Sequence, residues 1–174
     1  MTPRVETIEL RALQKTYFIR YLKANISPGT VNFLAPLVST VLLVQCRDPL
    51  NPPRRALKDA LCEWLRALAK THITELLMTL ARENDFPPPT AVRIAFQRSR
   101  WASRSETGVI SFSALTLFFP PELLRHVALH ELCHIRHMNH GLAFQTLLSR
   151  IDPKASLYRE QLLKAGTLIP EWIL

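Results

Sequence analysis

The sequence predicts an α+β fold in which a small antiparallel sheet packs on one central helix, with further helices beside it. Apolar residues recur at intervals of three and four over residues 54–83 and again over residues 120–138, which is the period of a helix. Between these segments, residues 91–99 and 109–113 are short stretches typical of half-buried strands. A chain of 174 residues fits one domain, so we expect a single domain over residues 1–174 with its core in residues 54–174.

The secondary structure of residues 1–50 is the hardest to predict from the sequence. Over residues 5–26 the apolar residues fit both the period of a strand and that of a helix, so periodicity does not decide between them. Ser27-Pro28-Gly29-Thr30 predicts a turn. Residues 31–35 and 40–45 are rich in valine and leucine and predict short buried strands. The proline-rich segment 48–53 then predicts a linker.

A long helix and two strands are predicted for the middle of the chain. The helix covers residues 54–83 and is stopped by the prolines of residues 84–89. In residues 91–99, Val92, Ile94 and Phe96 occupy alternate positions, which predicts a half-buried strand. A turn around residues 105–108 leads into the second strand, residues 109–113. We interpret the two strands as a hairpin.

The last third of the chain is predicted to be helical. Two prolines followed by Glu122 suit a helix start, and the helix extends from there to about residue 138. A break is predicted at residues 139–141, after which residues 142–151 resume the helical pattern. After Asp152-Pro153, a last helix runs to about residue 165, where Gly166 can cap it.

The most informative feature is the run His130-Glu131-Leu132-Cys133-His134. Histidines four residues apart lie about one turn apart on the same face of a helix, so both imidazoles can reach one metal ion. Glu131 projects beside them, where a carboxylate can hold the water that a metal activates. The spacing predicts a catalytic zinc site with three protein ligands and one open position. The alternative, two core histidines, leaves the carboxylate in an otherwise apolar helix unexplained.

His137 and His140 compete for the third ligand position. On a helix that continues to residue 138, the backbone of His137 lies about 10.5 Å beyond that of His130, at about 1.5 Å per residue. Zinc–nitrogen distances are about 2.0–2.1 Å, so three histidines in a straight row converge poorly on one ion. His140 follows the helix break and can turn back toward the ion. The predicted ligands of one zinc ion are therefore His130, His134 and His140, with His126 and His137 in the cleft wall.

The predicted reaction is hydrolysis of a peptide bond by metal-activated water. Glu131 is the predicted catalytic residue, since it can accept a proton from water and return it to the leaving amine. An extended peptide can bind by strand addition to a sheet edge near the zinc, and residues 109–113 are the candidate edge. The alternative for this strand is plain core packing.

The charge balance points to a possible polyanionic partner. The net charge is +8, and Arg93, Arg98, Arg100 and Arg104 form the densest basic cluster. A solvated basic surface that keeps the protein soluble explains the same charge. A second hypothesis of function is therefore a zinc-containing, nucleic-acid-associated binding module with little or no proteolytic turnover, which would bind DNA or another polyanion.

Composition predicts a soluble cytoplasmic protein of unknown oligomeric state. The cysteines Cys46, Cys62 and Cys133 are odd in number and share no CxxC spacing, which favours a reducing compartment. Residues 1–6 are polar and lack the apolar stretch of a signal peptide. The longest apolar region, residues 31–44, is interrupted by Pro36 and is too short to span a membrane.

The carboxy-terminal two thirds, roughly residues 64–172, resembles the SprT-like and YgjP-like zinc metallopeptidase families. The resemblance rests on residues 100–105, 108–110 and 120–122, on the His-Glu-x-x-His helix, and on Asn139-His140-Gly141 with Phe144. It implies a zincin-like fold, one zinc held by three histidines and a catalytic glutamate, which fall on His130, His134, His140 and Glu131. Some SprT-like members act on proteins bound or crosslinked to DNA, which would give the basic surface a purpose.

The chain departs from the pattern of these families at three positions. Family members usually have glycine and cysteine where this chain has Ala102 and Arg104. Members of the type that match best often have tryptophan after the phenylalanine of the final motif, where this chain has Gln145. The metal ligands are untouched, so these differences bear on the handling of substrate.

Overall fold

A computed structural model describes residues 5–35 and 39–173. The first four residues of the polar amino terminus, and Pro36, lie outside the described residues. Strands and helices follow one another in separate runs along the chain, and the α+β class is confirmed. The strands are β1 (Thr7–Leu10), β2 (Lys15–Lys23), β3 (Asn32–Leu34), β4 (Val41–Cys46), β5 (Ala91–Ala95), β6 (Ala102–Arg104) and β7 (Val109–Ser113), and the helices are α1 (Arg54–Glu83), α2 (Pro121–Cys133), α3 (Leu142–Ile151) and α4 (Ala155–Lys164).

The amino-terminal part forms a four-stranded sheet in the order β1-β2-β4-β3. The undecided residues 5–26 are strands, since β1 and β2 pair antiparallel around a 3₁₀ turn at Arg11–Leu13. β2 runs parallel to β4, and β3 pairs antiparallel with β4. Both predicted strands in this part are confirmed as strands, but only β4 is buried as predicted, because β3 exposes Asn32 and Leu34. The predicted turn is confirmed as well, because Gly29 adopts a φ of +79° and the N–H of Thr30 donates to the carbonyl of Ser27.

Helix α1 has the predicted bounds and joins the two halves of the fold. Its apolar stripe is buried along the whole length of the helix. Near its start, Trp64 packs edge-on against Tyr17 of β2 with 4.9 Å between ring centroids, so the first sheet rests on this helix. Further along, α1 packs against α2 and β5. The buried residues of the stripe are Leu57, Leu61, Leu65, Ala69, Ile73, Leu77, Leu80 and Ala81.

The second sheet has three strands in the order β5-β7-β6. The predicted hairpin is wrong, because β5 pairs parallel with β7 and the antiparallel partner of β7 is the short strand β6. The predicted edge role of residues 109–113 is wrong for the same reason, since β7 is the central strand and β5 and β6 are the edges. β5 also ends at Ala95, before the predicted residue 99. Gly108, with a φ of +82°, closes the turn between β6 and β7.

Helix α2 starts as predicted but ends at Cys133, five residues before the predicted end. Residues 134–137 continue as turns, and the N–H of His137 donates to the carbonyl of Cys133. The predicted break at residues 139–141 and the helix α3 after it are confirmed. The predicted cap role of Gly166 is wrong, because this residue lies inside a 3₁₀ helix at Ala165–Leu168.

One hydrophobic core runs from the first sheet through α1 to α2 and α3. It includes Ile8 and Leu42 of the first sheet, Leu65 of α1, and Leu132 of α2, all at most 1% exposed. The second sheet contributes Ile110 and Phe112 from its central strand. The core therefore holds α2 in place from one side and leaves its histidine face toward a cleft.

Within the described residues, none of the helices is both long and apolar enough to cross a membrane.

Candidate metal centre

Three histidine side chains converge at the carboxyl end of α2. His130 lies in the last turn of the helix, His134 is the residue at its end, and His140 comes from the segment before α3. The Nε2 atoms of His130 and His140 are 3.0 Å apart, and the ring centroid of His134 is 4.7 Å from that of His140. The structure therefore brings together the three residues that the sequence predicts as metal ligands, within 4.8 Å of one another.

Neighbouring groups fix the orientation of these rings. Phe144 of α3 is buried and lies beside all three histidines, with 4.7 to 4.9 Å between ring centroids. The Nδ1 atom of His134 is 3.0 Å from the carbonyl oxygen of His137. Donation by Nδ1 to this carbonyl leaves Nε2 of His134 unprotonated and able to bind a metal. His137 thus contributes its backbone, whereas its side chain is not part of the histidine cluster.

The surroundings keep His130 and His134 uncharged. Burial is the main reason that the pKa of His130 falls to about 3, with smaller contributions from interactions with His134, His140, His126 and Arg159. Burial also lowers the pKa of His134, against a smaller opposite effect from its bond to the His137 carbonyl. Imidazoles bind metals through a neutral nitrogen, so both rings are in the form that a metal needs.

Glu131 projects from the same helix turn and is 5% exposed. Its Oε2 atom is buried and has no hydrogen-bond partner among the described residues. Burial raises the pKa of Glu131 to about 7, and the charges of Arg100 and Arg104 oppose this shift. A buried carboxylate oxygen without a partner is uncommon in a native protein and is typical of a functional group. The role of Glu131 beside the histidines stays a prediction.

The donor set fits a divalent metal ion, and zinc in particular. Nitrogen ligands at about 2.0–2.1 Å from one tetrahedral zinc are about 3.3 Å apart, close to the 3.0 Å between Nε2 of His130 and Nε2 of His140. Three imidazoles with a further position open are a ligand set that catalytic zinc sites use. Glu131 follows His130 directly in the chain, which makes it the candidate for the carboxylate that such sites use.

A tether behind the site joins α2 to the segment between α3 and α4. The Nδ1 atom of His126, one turn before His130, is 2.6 Å from Oδ2 of Asp152, and both side chains are almost fully buried. His126 also lines a cavity beside His130 and His140, as a cleft-wall residue would. The role of Asp152 was not evident from the sequence, because an Asp-Pro pair after a helix is typical of a simple break.

A second tether joins strand β6 to the end of α2. The Nη1 atom of Arg104 donates to the carbonyl of His134 at 3.2 Å, and it also contacts the sulfur of Met138. Arg104 is therefore turned toward the site and does not belong to an open basic cluster with Arg93, Arg98 and Arg100, which are exposed. In the sequence, Arg104 stands out only as a member of the basic cluster and as a departure from the family motif.

The chain is similar to known metallopeptidases. Residues 42–165 match a family model described as YgjP-like, metallopeptidase domain. Among solved structures, the metallopeptidase zymogen jannalysin of Methanocaldococcus jannaschii is 21% identical, with a TM-score of 0.47 over 53% of this chain and 94% of that one. The metallopeptidase zymogen abylysin of Pyrococcus abyssi is 21% identical, with a TM-score of 0.49 over 53% of this chain and 92% of that one. No curated protein matches the chain.

Proposed function

The chain belongs to the YgjP-like metallopeptidase family, and on this premise we propose that it hydrolyses peptide bonds with one zinc ion held by His130, His134 and His140. Glu131 is the general base of the proposed reaction. The observation that carries the proposal is the convergence of three histidine side chains beside a buried carboxylate. Family membership agrees with the zincin-like fold and the peptidase class that the sequence resemblance implies.

The residues of the chain have separate tasks in the proposed mechanism. The chemistry that zinc supplies when bound is Lewis-acid polarisation of water and of the scissile carbonyl. The carboxylate of Glu131 accepts a proton from the attacking water and later returns it to the leaving amine. The unpartnered Oε2 of this carboxylate supports the role, because an oxygen already bonded to protein would be less able to accept that proton.

The peptide substrate binds in an extended form along strand β6. An edge strand has unpaired N–H and C=O groups that can pair with another chain. β6 is an edge of the second sheet, and its residue Arg104 reaches the carbonyl of His134. A peptide added there would run past the end of α2, next to the histidine cluster. The central strand β7 cannot serve in this way, because β5 and β6 cover both of its sides.

The test of the proposed function is a comparison of the wild type with Glu131→Gln. We expect one zinc per chain in both proteins, measured by elemental analysis, because the substitution leaves the three histidines unchanged. Cleavage of an unfolded protein substrate should fall at least about a thousandfold in the variant, since the base is removed from a reaction that depends on it. The rate of product formation is the measurement.

Glu122→Gln is the matched control, because Glu122 lies in the first turn of the same helix and is exposed. It should cleave like the wild type. Equal cleavage by Glu131→Gln and the wild type would contradict the role of Glu131. Loss of zinc from Glu131→Gln would instead give this residue a part in metal binding.

A binding module for nucleic acid with little turnover is the second candidate function. The net charge of +8 and the exposed residues Arg93, Arg98 and Arg100 favour it. It predicts binding to DNA that weakens steeply with added salt and that Arg98→Ala combined with Arg100→Ala reduces, measured by fluorescence anisotropy. Absence of binding at low salt would remove this candidate, and binding without cleavage would favour it over the peptidase.

We place the protein in the cytoplasm as part of the same proposal. Cys62 and Cys133 are free thiols, which a reducing compartment would preserve. Burial raises the pKa of Cys133 to about 12, so this thiol is unreactive although it lies inside the motif. Cys133 is therefore a packing residue of α2 and not a further metal ligand.

A further inference from the structure

A cavity extends from the histidine cluster toward the carboxy-terminal helices. Its volume is about 600 Å³, within the usual range for sites that bind small molecules or side chains. His130 and His140 form the wall that it shares with the metal centre, and Phe144 and Leu148 of α3 supply apolar surface. Helix α4 closes the far side with Arg159. A group that enters this cavity therefore lies directly beside the reacting bond.

The cavity carries a positive charge. Arg159 lies in its wall and forms no ion pair with an acid in the described part of the chain. The buried acid nearest in sequence, Asp152, is already bonded to His126. Arg159 is exposed, and it shares this wall with His130 and His140.

The remaining polar groups of the wall are suited to an anionic oxygen. His126 is 3% exposed and lines the cavity, and its Nδ1 atom is held by Asp152. Its Nδ1 proton is therefore already engaged, and the donors left for a ligand are the hydroxyl groups of Ser149 on α3 and Ser156 on α4. These hydroxyls can donate to a carboxylate that the charge of Arg159 attracts.

We propose that this cavity is a substrate subsite for a carboxylate, which Arg159 binds, and that the protein prefers peptides with an acidic residue or a free carboxyl terminus beside the scissile bond. The inference rests on the proposed peptidase function and names its substrate class. The planar guanidinium of arginine matches a carboxylate with two parallel hydrogen bonds. The apolar side chains of Phe144 and Leu148 can contact the methylene groups of the bound substrate residue.

Binding is measured first, so that the test does not depend on turnover. Zinc-loaded Glu131→Gln protein is titrated with labelled peptides that differ at one position, carrying glutamate, glutamine or lysine, all amidated at the carboxyl terminus. A fourth peptide keeps the glutamine and has a free carboxyl terminus. We expect a carboxylate to tighten binding about tenfold over the glutamine amide, as for a charged hydrogen bond. A gain with the glutamate peptide identifies a side-chain carboxylate as the ligand, and a gain with the fourth peptide identifies the carboxyl terminus.

Arg159→Glu and Arg159→Gln, each combined with Glu131→Gln, test whether Arg159 binds the carboxylate of the peptide. Arg159→Gln should abolish the preference, and Arg159→Glu should make the lysine peptide bind more tightly than the glutamate peptide. Lys164→Glu is the matched control, because it makes the same charge change five residues later on α4, is exposed and does not line the cavity. It should keep the wild-type order of peptides.

Equal binding of all four peptides, or the same loss of preference in Lys164→Glu as in Arg159→Glu, would overturn the inference. Cleavage by proteins with an intact Glu131 separates this outcome from failure of the proposed function. A protein that cleaves all peptides at equal rates is a peptidase without this subsite. A protein that binds carboxylate peptides through Arg159 but cleaves none retains the subsite and contradicts the function.

Discussion

His130, His134 and His140 lie in three different backbone environments, a helix, the end of that helix, and the segment before the next one. Three ligands on one straight helix could not converge on a single ion, because the axial rise separates them too far. The end of α2 at Cys133 solves this problem, since the chain turns and returns to the helix before α3 begins. The convergence of the three side chains therefore depends on where α2 stops.

The competition between His140 and His137 gives a prediction at this scale. His140→Ala should lower zinc affinity about a hundredfold or more, because it removes a proposed ligand from a set of three. His137→Ala should change the affinity little, since His137 interacts with His134 through its backbone carbonyl, which the substitution keeps. Competition with a chromophoric chelator measures both affinities. A larger loss in His137→Ala would contradict the ligand assignment.

The sequence was sufficient to predict the ligand candidates but not their surroundings. His130, Glu131 and His134 are identified by spacing alone, because that spacing has few other uses. The preference for His140 assumed a helix that continues past His137, and α2 ends earlier, so the axial distance in that reasoning does not apply. The convergence of His140 on the other two comes from the turn after α2, which no periodicity encodes.

At the scale of elements, the bond between His126 and Asp152 joins α2 to the segment between α3 and α4. Asp152→Ala leaves the buried ring of His126 without its partner and should lower the free energy of unfolding by about 3 kcal/mol. Asp152→Asn keeps an oxygen for the Nδ1 proton and should lose only about 1 kcal/mol. Urea denaturation measures both changes.

Asp59→Ala is the control for this pair, since Asp59 is exposed on α1 and its loss should alter stability by less than about 0.5 kcal/mol. Equal stability of Asp152→Ala and Asp59→Ala would mean that the buried pair contributes nothing. A change in zinc affinity in Asp152→Asn without a change in stability would show that the tether positions the α2 histidines.

Where apolar residues recur at a regular period, the sequence predicts an element together with its bounds. It does not predict which strands pair. Helices α1 and α3 and strand β7 have the predicted limits because their apolar spacing is unbroken. The parallel pairing of β5 with β7 is not visible in the sequence, since alternation predicts a strand but not its neighbour. β6 has only three residues, too few for any period to appear, and its position at the edge therefore comes from the structure alone.

At the scale of the whole molecule, the first sheet and the peptidase core share one hydrophobic interior. Leu42 of β4 and Leu65 of α1, both fully buried, belong to the same cluster as Leu132 of α2. The proposal of a single domain predicts one cooperative unfolding transition, because neither part can lose its packing alone. Residues 1–50, whose structure is the hardest to predict from the sequence, are thus expected to unfold together with the metal centre.

Tryptophan fluorescence can test this cooperativity in separate regions. Trp64 packs on Tyr17 of the first sheet, whereas Trp101 contacts Phe119 near the second sheet. The chain has three tryptophans, and each variant keeps either Trp64 or Trp101 and replaces the other two by phenylalanine. In each variant, the urea midpoint from tryptophan fluorescence should equal the midpoint from circular dichroism. A lower midpoint from Trp64 than from circular dichroism in the same variant would indicate a separate amino-terminal domain.

The end of α2 at Cys133 also gives the metal centre a permanent electric field. The aligned peptide dipoles of a helix are equivalent to about half an elementary negative charge at its carboxyl end. As proposed ligands, three imidazoles would bring no negative charge to offset that of a divalent cation. The macrodipole of α2 supplies part of that compensation from the backbone, so a substitution that extends the helix beyond His134 would move the negative pole away from the ion.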